Sequence, residues 1–366
     1  MGRLALLVVS PVLALGVAEL TARLTSPQPA EDLLAEAPES APPELYAPDP
    51  SVLMHPVAHY SGYSGRGVYV RTDSLGCRGT DREAGEGAWL MVGDSFTMAV
   101  QVPEQDTFSA LLEGELGVPV YNCGADGWTT FQAALRYAQV SRERPLAGVV
   151  YVLFTGNDLT EDQLYLSLAR LSREEDGTPR LPPAPRAAPP GGEHPAPGMF
   201  ERLRRNSVLW SAVEVSRRRY RAARGDYPET ARFREEFGLF TSVEPQRYDP
   251  AWRALRAALM ALRATVAAGG DHLLVAVAPP VYAVEPERAT ATALVLGVDP
   301  ATLRVAEPQA RTLALLAELG IDSCDLAAPL SAAGAGQYLR YDGHWSKAGH
   351  RVVASAISAC MTQRPR

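Results

Sequence analysis

Three short segments hold residues of the kinds that acyl chemistry needs. Gly93-Asp94-Ser95 carries a serine, Gly156-Asn157-Asp158 an amide side chain, and Asp342-Gly343-His344 a carboxylate and an imidazole two residues apart. A serine hydroxyl is a poor nucleophile until a base takes its proton. That base is usually a histidine held in one tautomer by a carboxylate. Backbone N–H groups in a strand-to-helix turn, or an asparagine amide, can then stabilise the oxyanion that forms on the attacked carbonyl. Ser95 therefore reads as nucleophile, His344 as base, Asp342 as the orienting acid and Asn157 as an amide donor. Each has a plainer reading alone: Ser95 as a helix cap, Asn157-Asp158 as a turn, His344 as a structural histidine. Asp94 reads as a structural hydrogen-bonding residue of its turn.

These residues need a frame, and the apolar pattern supplies one. Ala88–Val92 is a short apolar run that reads as a buried strand, Val118–Tyr121, Ala147–Phe154 and His272–Ala278 read as further strands, and Ile321–Leu326 is a candidate fifth. Helical spacing is predicted over Thr107–Leu116, Thr129–Arg144, Leu159–Leu171, Phe200–Arg224, Pro250–Ala268, Ala301–Leu319 and Ser346–Cys360. Strands alternating with helices imply a parallel sheet covered on both faces, with right-handed connections. Ligands bind such sheets at the carboxyl ends of the strands. Gly93-Asp94-Ser95 and Gly156-Asn157-Asp158 both fall there.

Several motifs are missing. Thr97 stands where a G-x-S-x-G elbow needs its second glycine, which disfavours an ordinary α/β-hydrolase. No phosphate-binding G-x-x-x-x-G-K-[ST] and no H-E-x-x-H occurs. Cys77, Cys123, Cys324 and Cys360 show no C-x-x-C spacing, so a zinc site is not expected. One or two disulfides or buried free thiols all fit them. A net charge of −7 argues against a nucleic-acid surface.

Four blocks in order resemble the SGNH/GDSL hydrolase superfamily. Val92-Gly93-Asp94-Ser95-Phe96-Thr97 is similar to the first. Tyr121-Asn122-Cys123-Gly124-Ala125-Asp126-Gly127 is similar to the second, Phe154-Thr155-Gly156-Asn157-Asp158 to the third, and Tyr341-Asp342-Gly343-His344-Trp345-Ser346 to the last. Thr72 to Gly79 also resembles a lead-in of exported bacterial members. The resemblance spans roughly residues 71 to 360. It implies a three-layer α/β/α, flavodoxin-like fold with a parallel five-stranded sheet, an acyl-enzyme on Ser95, and no metal or organic cofactor. It also implies an oxyanion hole of Ser95 N–H, Gly127 N–H and Asn157 Nδ2; the family's five-residue spacing from the block asparagine selects Gly127 over Gly124. The family's usual last block is Asp-x-x-His. The shorter Asp342-x-His344 with its Trp-Ser resembles the branch of alginate-type polysaccharide O-acetyltransferases, where that block often precedes the serine. Asp325 is a second candidate for the acid.

The remaining organisation is compositional. Met1 to about residue 26, with Arg3 ahead of an apolar run from Leu4 to Ala18, reads as a signal peptide or signal anchor, and a buried N-terminal helix is the alternative. Residues 27–70 read as a Pro-rich linker and β-rich lead-in. Residues 71–366 read as the hydrolase domain, with an insertion at about 172–248 whose stretch Pro179–Pro197 is expected to be a mobile loop. Arg217-Arg218-Arg219 reads as a solvated helix face, or as a contact for acidic lipid or polysaccharide. The expected protein is extracytoplasmic, secreted or membrane-anchored. It is expected to be a serine esterase acting on carboxylic, and in particular O-acetyl, esters of a small molecule or glycan. The alternatives are an O-acyltransferase acting on a cell-envelope polysaccharide, a non-catalytic glycan-binding protein on the same fold, and a lipase-like enzyme with an apolar groove under the insertion.

Overall fold

In the computed structural model, residues 2–25, 42–64, 67–82, 85–169, 179–194, 198–199, 207–210, 212–213, 216–217, 229–339 and 342–362 are described. Nine strands occur among them: β1 (Tyr46–Asp49), β2 (Leu53–Pro56), β3 (Ser61–Tyr63), β4 (Tyr69–Arg71), β5 (Trp89–Gly93), β6 (Val120–Asn122), β7 (Gly148–Phe154), β8 (His272–Ala278) and β9 (Asp322–Asp325). β1–β2 and β3–β4 form two small antiparallel pairs that precede the main sheet.

The main sheet is parallel throughout, in the order β6-β5-β7-β8-β9. Strand β7 shows why both of its faces are covered. Val149, Tyr151 and Leu153 join one core while Val150 and Val152 join the other, and all five are fully buried. Helices Thr130–Val140, Asp249–Gly269, Pro286–Leu296 and Glu307–Glu318 contribute to the first core; Phe108–Leu116, Ala327–Ala332 and Lys347–Thr362 contribute to the second. This is the expected three-layer α/β/α arrangement. Strand order reverses between β6 and β7, on either side of β5, and the crevice at such a reversal is where doubly wound sheets place ligands.

The expected strands match the observed ones to within two residues at each end. The helix expected over Ala301–Leu319 divides instead into a 3-10 turn at Pro300–Thr302 and the helix Glu307–Glu318. Proline is tolerated in the first turn of a helix and not in its interior, and the division places both Pro300 and Pro308 at helix starts.

The Pro-rich stretch Pro179–Pro197 is described over residues 179–194. Its described part pairs with the lead-in: Ala58 N–H donates to Pro189 O (2.7 Å), Gly191 N–H to Ala58 O (2.8 Å) and His194 N–H to Ser61 O (2.8 Å). Proline presets an extended φ and loses no donor that an edge needs. The expected helix Phe200–Arg224, the Arg217–Arg219 run and the linker 27–41 lie wholly or largely outside the described residues. Gly2–Thr25 is helical, and no helix among the described residues is long and apolar enough to cross a membrane. All four cysteines are paired, Cys77 with Cys123 and Cys324 with Cys360.

Candidate active site

Strand β5 ends at Gly93, where φ is +151° and a Cβ would collide with Thr97 Oγ1 and lie 2.8 Å from Val152 O. Only glycine fits. The chain then turns at once into the single helical turn Ser95–Met98. Asp94 caps it, its Oδ1 accepting the Phe96 N–H at 2.9 Å while its carbonyl accepts from Thr97 and Met98. Ser95 is thus the first helical residue, at the carboxyl edge of the sheet. Its Oγ lies 2.8 Å from His344 Nε2.

His344 arrives from the far end of the chain, in the loop between the helices Ala327–Ala332 and Lys347–Thr362. Tyr338 and Trp345 bridge antiparallel, with Leu339 N–H donating to His344 O at 2.7 Å and Ser346 N–H to Gln337 O at 2.9 Å. Trp345 is fully buried against Phe96, Phe108 and His350, which anchors the residue next to the imidazole. Phe96 lies against the imidazole ring, centroids 4.7 Å apart.

Asp342 Oδ1 hydrogen-bonds His344 Nδ1 and also accepts the His344 backbone N–H at 3.4 Å. An Asp side chain reaching the N–H two residues on is an Asx-type turn. Gly343, at φ +82°, takes the left-handed conformation that closes it. The two-residue spacing therefore suffices to set the carboxylate against the ring, and the Asp342 side chain is almost fully buried there, at 2% exposed. Asp325 is not brought to the imidazole. Its Oδ1 accepts from Gln309 Nε2 (2.7 Å) and Ala327 N–H (2.9 Å) at the start of the helix Ala327–Ala332.

The loop after β6 uses its N–H groups selectively. Cys123 N–H donates to Met91 O, Gly124 N–H to Asn122 Oδ1, Ala125 N–H to Gly93 O, Asp126 N–H to Tyr46 Oη and Trp128 N–H to Ala125 O. Gly127 N–H has no protein acceptor among the described residues. Gly127 is exposed, at φ +72°, whereas Gly124 packs with its Cα hydrogens against Thr97. The hydrogen-bond pattern thus leaves Gly127, not Gly124, with a donor to offer. Ser95 N–H and Asn157 Nδ2 likewise have no protein acceptor among the described residues. Asn157 follows β7, the strand beside β5, and its carbonyl accepts from Thr160 and Glu161 at the start of the helix Asp158–Ala169.

Buried carboxyls lie beneath this edge. Asp158 accepts from Tyr151 Oη and Phe154 N–H, both at 2.9 Å, so its role is structural. Burial, followed by the neighbouring Asp94, Glu161 and Asp162, pushes its carboxyl well above the ordinary range. Burial likewise pushes Asp94 up to about 7, against the opposing pull of His344. Asp162, bonded to Thr130 Oγ1 at 2.7 Å, is also pushed up to about 7, chiefly by burial. Neutral acids remove the cost of several like charges in one dry region.

His350 is a packed core histidine, its Nδ1 accepting the Phe108 N–H at 3.2 Å and its ring stacked on Phe108. Burial lowers its pKa to about 3. Among the described residues no group of three His, Cys, Asp or Glu side chains could hold a metal ion. Sequence reasoning missed two neighbours, Tyr46 and Arg78, which reach the site's loops from the lead-in. Arg78 lay inside the quoted lead-in segment; Tyr46 had no signal.

Residues 238–366 match a family model described as the SGNH hydrolase-like domain of the acetyltransferase AlgX. Of the four sequence blocks that resemble the SGNH/GDSL superfamily, the last lies within that match, which supports the superfamily and its acetyltransferase branch there. The match includes Asp342 and His344 and stops short of Ser95, Gly127 and Asn157. No curated protein matches the chain.

Solved structures similar to the chain include a catalytic mutant of an acetylxylan esterase from Geobacillus stearothermophilus (12% identity, 78% of this chain and 100% of that one, TM-score 0.37). A GDSL-like lipase from Bacteroides thetaiotaomicron is similar over 76% of this chain and 90% of that one (13% identity, TM-score 0.36). A lipolytic protein of the G-D-S-L family from Veillonella parvula is similar over 76% and 99% (12% identity, TM-score 0.34). All three are remote, and the fold is read from the strand order itself.

Proposed function

We propose that this chain, whose residues 238–366 match the SGNH hydrolase-like acetyltransferase family, is a serine esterase that cleaves carboxylic, above all O-acetyl, esters through an acyl-enzyme on Ser95. The observation that carries the reading is the continuous relay Ser95 Oγ–His344–Asp342, with 2.8 Å between Oγ and Nε2. Ser95 Oγ attacks the ester carbonyl as His344 Nε2 takes its proton, and Asp342 stabilises the imidazolium. The tetrahedral oxyanion is met by Ser95 N–H, Gly127 N–H and Asn157 Nδ2. Collapse breaks the bond to the leaving alkoxide, which takes the proton back from His344. Water, deprotonated by the same histidine, then releases the acid and restores Ser95.

A second reading is favoured by the acetyltransferase match and the Asp-x-His spacing: a hydroxyl of a cell-envelope polysaccharide replaces water in the second half-reaction. The location we propose for the protein is outside the cytoplasm. The two disulfides support that location, because such bonds persist in oxidising compartments, and the helix Gly2–Thr25 would serve as signal or anchor.

The test is turnover of 4-nitrophenyl acetate and of an O-acetylated oligosaccharide by wild type and Ser95→Ala. Acetate release by wild type alone is expected. Faster release of nitrophenol on adding unacetylated oligosaccharide, with acetyl appearing on the sugar, would select transfer. A folded wild-type protein that turns over neither ester, yet binds the oligosaccharide as well as Ser95→Ala does, would replace both readings with glycan binding.

A further inference from the structure

The lead-in Thr72–Gly79 takes no part in the chemistry above, yet its arginine grips the turn that carries Ser95. The Arg78 guanidinium is buried, 6% exposed, and among the described residues it pairs with no carboxylate. It donates instead to three carbonyls: Nη1 to Met98 O at 2.7 Å and to Ala99 O, Nη2 to Val102 O at 2.6 Å. Burying a cation is costly unless its donors are used, so a guanidinium spent on one loop fixes that loop. Those carbonyls close and follow the single helical turn Ser95–Met98, which ends at Ala99 in the left-handed region, φ +53°. One turn of helix cannot hold itself, because nucleation fixes several residues for one hydrogen bond.

The arginine is itself held. Arg78 N–H donates to Asn122 O at 2.7 Å in an antiparallel bridge between the two residues. The disulfide Cys77–Cys123 joins the residue before Arg78 to the residue after Asn122. Asn122 Nδ2 in turn donates to Thr97 O at 2.7 Å. The carbonyls of Thr97, Met98 and Ala99 are thus all bound by side chains from one bridged pair.

We infer that Arg78 is a positioning residue for the nucleophile: acting through the carbonyls of Met98, Ala99 and Val102, it holds the Ser95 turn where Oγ meets His344 Nε2. The inference rests on the nucleophilic role proposed for Ser95. A buried arginine of purely structural worth would affect the stability of the fold; a positioning arginine affects the reactivity of Ser95 at unchanged substrate affinity.

The experiment measures the saturation kinetics of fluorophosphonate labelling of the full chain, with the melting temperature of each variant. Arg78→Met is expected to lower the maximal labelling rate about 10²-fold, the loss that a misplacement of about 1 Å can bring, while the reagent's apparent affinity stays within about twofold. Arg78→Lys, which keeps the charge but can reach only part of the carbonyl set, is expected to fall between, and its rate decides the matter if Arg78→Met does not fold. Leu262→Ala, a core change in the helix Asp249–Gly269, supplies a destabilised control that should label at the wild-type rate. Labelling of Arg78→Lys and of any folded Arg78→Met at the wild-type rate would overturn the inference, as would an equal loss in Leu262→Ala. Absence of labelling in wild type would instead overturn the serine reading on which it rests.

Discussion

Replacing Asp342 by asparagine tests the relay at its most buried member. The Asp342 side chain is 2% exposed and His344 20%, so the pair sits at the margin of the protein rather than in dry interior. For such a partly solvated pair an effective dielectric constant of about 20 applies, and two unit charges about 4 Å apart attract by about 4 kcal/mol. That attraction exists only once His344 has taken the Ser95 proton, so the loss falls on the transition state. At about 1.36 kcal/mol per decade it corresponds to roughly 10³ in kcat. An amide that turns its NH₂ toward Nδ1 would also impose the wrong tautomer, and the corresponding change in a serine protease triad costs about 10⁴. Asp342→Asn should therefore lose about 10³- to 10⁴-fold in kcat, with KM nearly unchanged, in steady-state hydrolysis of 4-nitrophenyl acetate. Asp325→Asn should stay within about twofold of wild type, because Asp325 bonds Gln309 and the Ala327 N–H instead of the imidazole. Asp342→Asn within tenfold of wild type, or Asp325→Asn as damaged as Asp342→Asn, would refute the reasoning.

Other outcomes follow from the same geometry. Asn157→Ala should lower kcat by about 10²- to 10³-fold, the usual cost of one oxyanion donor, and unchanged kcat in that variant would remove Asn157 from the site. The double change Cys324→Ala/Cys360→Ala opens a bridge across a separation of 36 residues; chain entropy puts the loss near 4 kcal/mol, about what denaturant titration should read, with kcat retained. Asp162, pushed up to about 7 when folded from the 3.8 of an ordinary aspartate, binds more protons folded than unfolded between those values. Its contribution is complete below about pH 4 and lost as pH rises through about 7. Asp162→Asn should accordingly flatten the fall in melting temperature between those limits, and an unchanged slope would show the carboxyl to be ionised when folded.

Strands β5 to β8 were legible because each is a short run of buried residues, a pattern that depends on nearest neighbours, whereas β9 showed only through the Ile321 and Leu326 that flank its polar, mostly exposed Asp322–Asp325. The helix break before Glu307 was legible in principle from Pro300 and Pro308, but continuous apolar spacing across 301–319 concealed it. Pro189 and Gly191 looked like loop residues because composition does not reveal that the backbone of Ala58, ahead of β3, is there to pair with them. At the candidate site, residue types were readable and relations were not. Asp342 and His344 meet through the left-handed Gly343, a backbone choice that spacing alone does not specify. Gly127 and Gly124 differ in which N–H group is already used, which depends on the Asn122 side chain folding back to accept from Gly124. The Cys77–Cys123 pairing and the grip of Arg78 on Met98, Ala99 and Val102 are likewise tertiary contacts between separate elements.

The most direct measurement is fluorophosphonate labelling of the folded protein read by intact mass, beside Ser95→Ala. A single adduct on wild type that maps to Ser95, and none on Ser95→Ala, is predicted. A folded wild-type protein that stays unlabelled, or a Ser95→Ala protein labelled as fully as wild type, would contradict an activated Ser95.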